Sequence, residues 1–177
     1  MHVIVQSVVP SDYRAALERL VFFNPRQHEA RDAIVHALEH YGALEIAACG
    51  DGLGVIVSGR PDAQCLFGLV PRRGRLDLAG GLVYLRTCRE ELKVLHIAIA
   101  ARYCVKPHVS LGVAKQLLRS VRSVAHRLRG VERVNLLYRG DRSLRLKHLT
   151  VSFPAPAEPV EGSVRAPDAR QNCSSAA

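Results

Sequence analysis

LKVLHIAIAARY (Leu92–Tyr103), CVKPHV (Cys104–Val109), SLGVAKQLLRSVRSVAHRLR (Ser110–Arg129), Gly130 and VERVNLLY (Val131–Tyr138) follow one another without a break. The first segment is dense in Leu, Val and Ile and reads as a largely buried strand. Pro107 marks a loop, and Ser110-Leu111-Gly112 opens an amphipathic helix that Gly130 stops. The last segment returns as a strand. A strand–helix–strand unit of this kind aims the first amides of its helix beyond the carboxyl end of the first strand, a place where phosphates bind. No Asp or Glu stands between Glu91 and Glu132, whereas Lys93, Arg102, Lys106, Lys115, Arg119, Arg122, Arg127 and Arg129 all do. An anionic ligand follows from that asymmetry.

Composition bounds the rest. A chain of 177 residues is the size of one domain, which buries roughly 70% of its unfolded surface. A hydrophobic fraction of 48% excludes wholesale disorder. The formal charge of +9 favours anionic partners: nucleic acid, a phosphorylated cofactor or an acidic surface. The five cysteines are widely spaced and contain no Cys-x-x-Cys, so neither a disulfide framework nor a zinc finger is indicated. The start, MHVIVQSVVPSD, lacks the charged head and apolar stretch of a signal peptide, and no apolar run is long enough for a membrane span. These features predict a cytoplasmic protein without a membrane partner.

Outward from the central unit, His2–Val9 reads as a strand and Ser11-Asp12 as a cap for a helix over Tyr13–Phe23. Asn24-Pro25 breaks that helix, and a second runs from Arg26 to Tyr41 with an apolar stripe at Ala30, Ala33, Ile34, Ala37, Leu38 and Tyr41. The period then becomes that of a sheet. Ala43–Cys49 and Leu53–Ser58 flank Gly50-Asp51-Gly52, where Asp-Gly predicts a primed turn. Gln64–Val70 and Leu76–Arg86 pair around Pro71–Gly74. After Tyr138 a turn leads to a last strand over Ser143–Phe153, and the Pro- and Ala-rich residues 154–177 form a disordered tail beyond a domain of residues 1–153. The fold class is therefore α/β (α+β): a mixed, mainly antiparallel sheet flanked by helices, with one strand–helix–strand crossover.

This order of elements resembles the GNAT acyltransferase superfamily, with Leu92–Tyr103 as its fourth strand, Pro107–Ala114 as its pyrophosphate loop, Ser110–Arg129 as its helix and Val131–Tyr138 as its fifth strand. The family loop reads Gln/Arg-x-x-Gly-x-Gly/Ala; here Val109-Ser110-Leu111-Gly112-Val113-Ala114 matches at the glycine and the final alanine and departs at the first position. The resemblance implies an acyl-CoA cosubstrate, acetyl-CoA or another, and transfer to an amine. Ile97 and Ile99 on the strand and Val109, Ser110, Leu111, Gly112, Val113, Ala114 and Lys115 at the loop and helix would hold it. It also covers only residues 1–140. The family's later helix and strands have no counterpart, so the acceptor side is reshaped, shared with a partner copy in a homodimer, or lost. Acyl-homoserine-lactone synthases share the fold and are a remoter option.

For proton transfer the sequence offers Glu90, Glu91 and His96 as bases and Tyr138, ending the fifth strand, as an acid. Each has a plainer role as a packed or solvated residue. His36-Ala37-Leu38-Glu39-His40 matches the His-x-x-Glu-His spacing of one class of zinc peptidases. It lies on a charge-mixed helix face with no recognisable third ligand, so no metal is expected. The alternative to catalysis is a silent basic module that binds nucleic acid or a protein partner, using the cationic side of the Ser110–Arg129 helix.

Overall fold

A computed structural model describes residues 2–105 and 107–137. Among them the chain forms β1 (Ile4–Gln6), α1 (Arg14–Val21), α2 (Arg31–Tyr41), β2 (Leu44–Cys49), β3 (Gly52–Val57), β4 (Gln64–Arg72), β5 (Arg75–Cys88), β6 (Glu91–Ile99), a one-turn α3 (Ala101–Cys104), α4 (Pro107–Arg127) and β7 (Arg133–Leu136). Five strands make one sheet in the order β1-β4-β5-β6-β7, and β2 and β3 form a separate hairpin. Every pairing in the large sheet is antiparallel except β6 with β7. The fold is α+β with a mixed, mostly antiparallel sheet, as the period changes along the sequence predict. Tyr138, the expected strand over Ser143–Phe153 and the expected tail lie outside the described residues.

Several boundaries differ from the sequence reading, each for a local reason. The strand expected through Tyr103 ends at Ile99, because Ala100-Ala101 supplies no β-branched side chain and Tyr103 N–H turns back to Ala100 O (2.8 Å). The first strand shrinks to three residues, and Val9 instead bridges to Leu53 of the hairpin in both directions (2.9 and 2.7 Å). Ser11 and Asp12 fall in a 3₁₀ turn, and no side chain caps α1. Pro25–Ala30 is likewise a 3₁₀ stretch ahead of α2. In the first hairpin the turn is Gly50-Asp51, with Cys49 opposite Gly52, one residue earlier than Asp51-Gly52. In the second, Arg73 and Gly74 both have positive φ (49° and 75°) and join Arg72 directly to Arg75, the geometry of a two-residue primed turn.

The sheet carries an apolar layer on each face. Val9, Leu17, Leu20, Phe67, Leu69, Leu78, Leu85 and Leu95 form one, beneath α1 and the hairpin. Leu82, Leu92, Val94, Val113, Leu117, Val121 and Ala125 form the other, beneath α4. The buried seam of α4 runs Val113, Ala114, Leu117, Val121, Ala125, with the spacing of one helical stripe, while Leu111 and Leu128 at its ends are exposed. By contrast, α2 buries none of its residues, and Val35 and Leu38 face solvent. Its amphipathic stripe is only partly covered: Ala33, Ile34 and Ala37 are half-buried, and Tyr41 packs against the core.

Glycines set how closely α4 sits. Gly68 and Gly80 are register partners on β4 and β5, and Val113 lies over both. A Cβ at Gly80 would stand 2.9 Å from Val113 Cγ1, 2.9 Å from Ile99 Cδ1 and 3.0 Å from Ala98 O. The last contact is backbone and cannot swing away. Gly80→Ala is therefore expected to destabilise the fold by about 1–3 kcal/mol through overpacking. Urea unfolding checks it: the midpoint should fall at constant m-value, and an unchanged midpoint would show that α4 rides higher than described.

Candidate functional site

The β5–β6 ladder shifts register twice, between Arg86 and Cys88 and between Val83 and Tyr84. Val83 pairs with His96 but Tyr84 pairs with Val94, so Leu95 is an extra residue in β6, a β-bulge. The last described register pair with β7 is Val94 opposite Leu136, with Leu137 N–H donating to Val94 O (3.0 Å). Beyond the bulge, Ala100 N–H donates to Ala79 O (2.9 Å), so Ala98 and Ala100 direct their backbone groups to β5. Alternation turns those of Ile97 and Ile99 the other way, toward the β7 side of β6. Among the described residues no strand pairs with that edge beyond Val94.

The edge is not bare throughout. Asn24, buried after α1, donates its Nδ2 to Ile99 O (2.9 Å), and Cys104 Sγ lies 3.5 Å from the same oxygen. Next in the chain comes α4, beginning at Pro107 rather than Ser110. That earlier start matters electrostatically. The first amides of a helix lack intrahelical partners, whereas those from the second turn onward bond four residues back. The residues with an outward amide are thus His108 and Val109. Ser110, Leu111, Gly112, Val113, Ala114 and Lys115 lie within the helix proper, so the expected loop Pro107–Ala114 is the helix itself. Ser110 is buried, Val113 and Ala114 face the core, and Lys115 points to solvent. Gly112 is half-buried one turn after His108. A helical side chain covers the turn before its own Cα, so a side chain at this position would lie toward the His108 and Val109 amides.

The expected bases are not brought to this edge. Glu91 opens β6, eight residues before Ile99, which at about 3.3 Å per residue is roughly 26 Å away. Its carboxylate is also fully occupied. One oxygen accepts from Thr87 Oγ1 (2.9 Å) and Lys93 Nζ (3.2 Å), the other from Arg133 Nε (3.1 Å) and Asn135 Nδ2 (2.6 Å). Burial raises its pKa, but the hydrogen bonds and the Lys93 charge outweigh that and hold it below the ordinary carboxylate value. Lys93 in turn donates to Tyr41 OH (3.2 Å), which links the end of α2 to the same cluster. Glu91 is a tie between β6 and β7. Its four acceptor sites are filled, so it has no capacity left for a substrate proton.

His96, beside the bulge, is 5% exposed, and burial pushes its pKa down to about 4. It is neutral at physiological pH and weakly basic. His36 and His40 do share an exposed helix face, but their rings stack at 3.9 Å and His40 Nδ1 contacts His36 O at 3.0 Å. Among the described residues no three His, Cys, Asp or Glu side chains are grouped to hold a metal. No helix there is long and apolar enough to cross a membrane. The bulge at Leu95 and the Asn24 bridge went unread in the sequence: a uniformly apolar run gives no sign of an extra residue, and Asn24-Pro25 signals a helix end before anything else.

No protein-family model matches this chain, and neither the curated proteins nor the solved structures contain a match to it.

Two outcomes follow from these environments. An unfolded histidine titrates near 6.5, whereas His96 titrates near 4, so acidification protonates the unfolded chain first and stability falls with pH. That loss is expected to reach about 2 kcal/mol between pH 7 and pH 5. Denaturant midpoints across this range should show it, and His96→Gln should flatten the slope; an identical slope in the variant would contradict it. Glu91→Ala strands three donors of β6 and β7 and is expected to cost about 3 kcal/mol, whereas a catalytic Glu91 would leave the unfolding midpoint near wild type.

Proposed function

We propose that the chain is an acyl-CoA-dependent N-acyltransferase of GNAT-like architecture. The observation that carries this reading is the Leu95 bulge, which turns the Ile97 and Ile99 backbone groups away from β5 shortly before a helix whose first amides lack intrahelical partners. The Ile97 N–H and C=O and the Ile99 N–H form a strand-like row of donors and an acceptor on that side of β6, which suits the amide-bearing arm of a coenzyme A, while the Ile99 carbonyl is held by Asn24. The pyrophosphate would lie at His108 and Val109, where free N–H groups and the positive end of α4 favour an anion. Lys115, exposed and without an acidic partner among the described residues, adds a modest attraction.

In such a transfer the acceptor amine attacks the thioester carbonyl, the C–N bond forms, the C–S bond breaks and the thiol leaves. The strand edge positions the thioester. The chain's described acids and bases stand back from the reaction: Glu91 is saturated and His96 is neutral and buried. The amine proton is therefore expected to pass to water or to residues outside the described set, with Tyr138 the remaining candidate from the sequence.

The basic-module reading draws on Lys115, Arg119 and Arg122, which line one exposed side of α4. Calorimetric titration separates the two. Acetyl-CoA should bind wild type, and Gly112→Glu, which sets a carboxylate over the His108 and Val109 amides, should weaken it about tenfold or more with an unchanged melting temperature. No binding by wild type at millimolar ligand, together with salt-sensitive binding to nucleic acid, would replace the acyltransferase reading with the module.

A further inference from the structure

A cavity of about 380 Å³ lies between α1 and the carboxyl end of β6, on the sheet face opposite α4. This volume is within the range of small-molecule sites, about 300–1,000 Å³. Ala16, Leu20, Pro25, Leu78 and Ala100 give it an apolar lining, and Phe23 stands at its lip, 73% exposed. Arg19 on α1 and Arg102 on α3 complete the lining.

The two arginines are not equivalent. Arg102 is committed: it pairs with Asp77 (3.4 Å), donates to Leu78 O (3.2 Å) and stacks 5.5 Å over the Tyr103 ring. Arg72 also leans on Asp77 at 3.6 Å, and Tyr103 OH donates to the same carboxylate at 3.2 Å. Arg102 is thereby held in place with part of its charge compensated. Arg19 forms no ion pair among the described residues, so the cavity mouth keeps one uncommitted cation. A planar guanidinium with no partner favours a carboxylate, and an apolar wall with an exposed phenyl ring favours an apolar body attached to it.

We propose that this cavity binds a small amphiphile that carries a carboxylate on an apolar body. On the acyl-transfer reading, from which this part follows, that ligand is the acceptor: an apolar amino acid whose carboxylate meets Arg19. Asn24 supports the placement. It lines the cavity and bonds Ile99 O, so cavity and strand edge share one residue. The acceptor amine would approach the thioester from the side of the sheet opposite α4.

Titrations of the full chain with L-phenylalanine, L-phenylalaninamide and inorganic phosphate, each without coenzyme A, test the cavity by itself. The acid should bind, and the amide, which keeps the ring and loses the anion, should bind about tenfold or more weakly. Arg19→Gln, on an exposed helix position, should erase the difference between acid and amide without lowering the melting temperature, and Arg19→Lys should restore part of it. Equal binding of acid and amide, no binding of the acid at millimolar concentration, or phosphate binding as tightly as the acid would each overturn the proposal. A parallel acetyl-CoA titration keeps the two readings apart. Binding of the acid without acetyl-CoA upholds the cavity and sinks the transferase; the reverse result does the opposite.

Discussion

One buried carboxylate ties the start of β6 to β7. Glu91 gathers Thr87, Lys93, Arg133 and Asn135 at the point where β6 begins, and the described parallel register pairs run from Glu91 with Arg133 to Val94 with Leu136. The residue that the sequence offers as a base is a structural tie between the two strands.

Two further constraints act on β6 beyond Val94. The Leu95 bulge reverses which backbone groups meet β5, so Ile97 and Ile99 turn to the edge instead of His96 and Ala98. The Gly68–Gly80 pair lets Val113 sit against the sheet, and that contact fixes the height of α4 and with it the position of its first turn. Bulge and glycine pair lie near the middle of the sheet, and both influence the same few ångströms beyond Ile99. Substitutions far from any ligand are therefore expected to alter binding through α4.

Much of the fold was legible in the sequence, because period and breakers report local structure well. Gly50-Asp51-Gly52 and Pro71–Gly74 signalled hairpins, and Gly130 the end of α4. What escaped depends on tertiary partners. Ala100–Cys104 reads as a continuation of an apolar strand until Ala79 and Ala100 are seen to end the ladder. The start of α4 at Pro107, a favoured first helical residue, was hidden by reading the proline as a loop. With α4 starting at Pro107, the amides without intrahelical partners are those of His108 and Val109, about one turn before Gly112. Glu91 and His96 show a deeper limit: residue type proposes a base, but only the surrounding donors and burial tell whether it has a free lone pair and a useful pKa.

Residue-resolved amide spectra of the ¹⁵N-labelled full chain, recorded as acetyl-CoA is added, test the central claim most directly. The account predicts saturable shifts concentrated at Ile97, Ile99, His108 and Val109, with the amides around Glu91 unmoved. Shifts confined to the exposed Lys115, Arg119 and Arg122 side of α4, or none at saturating ligand, would contradict it.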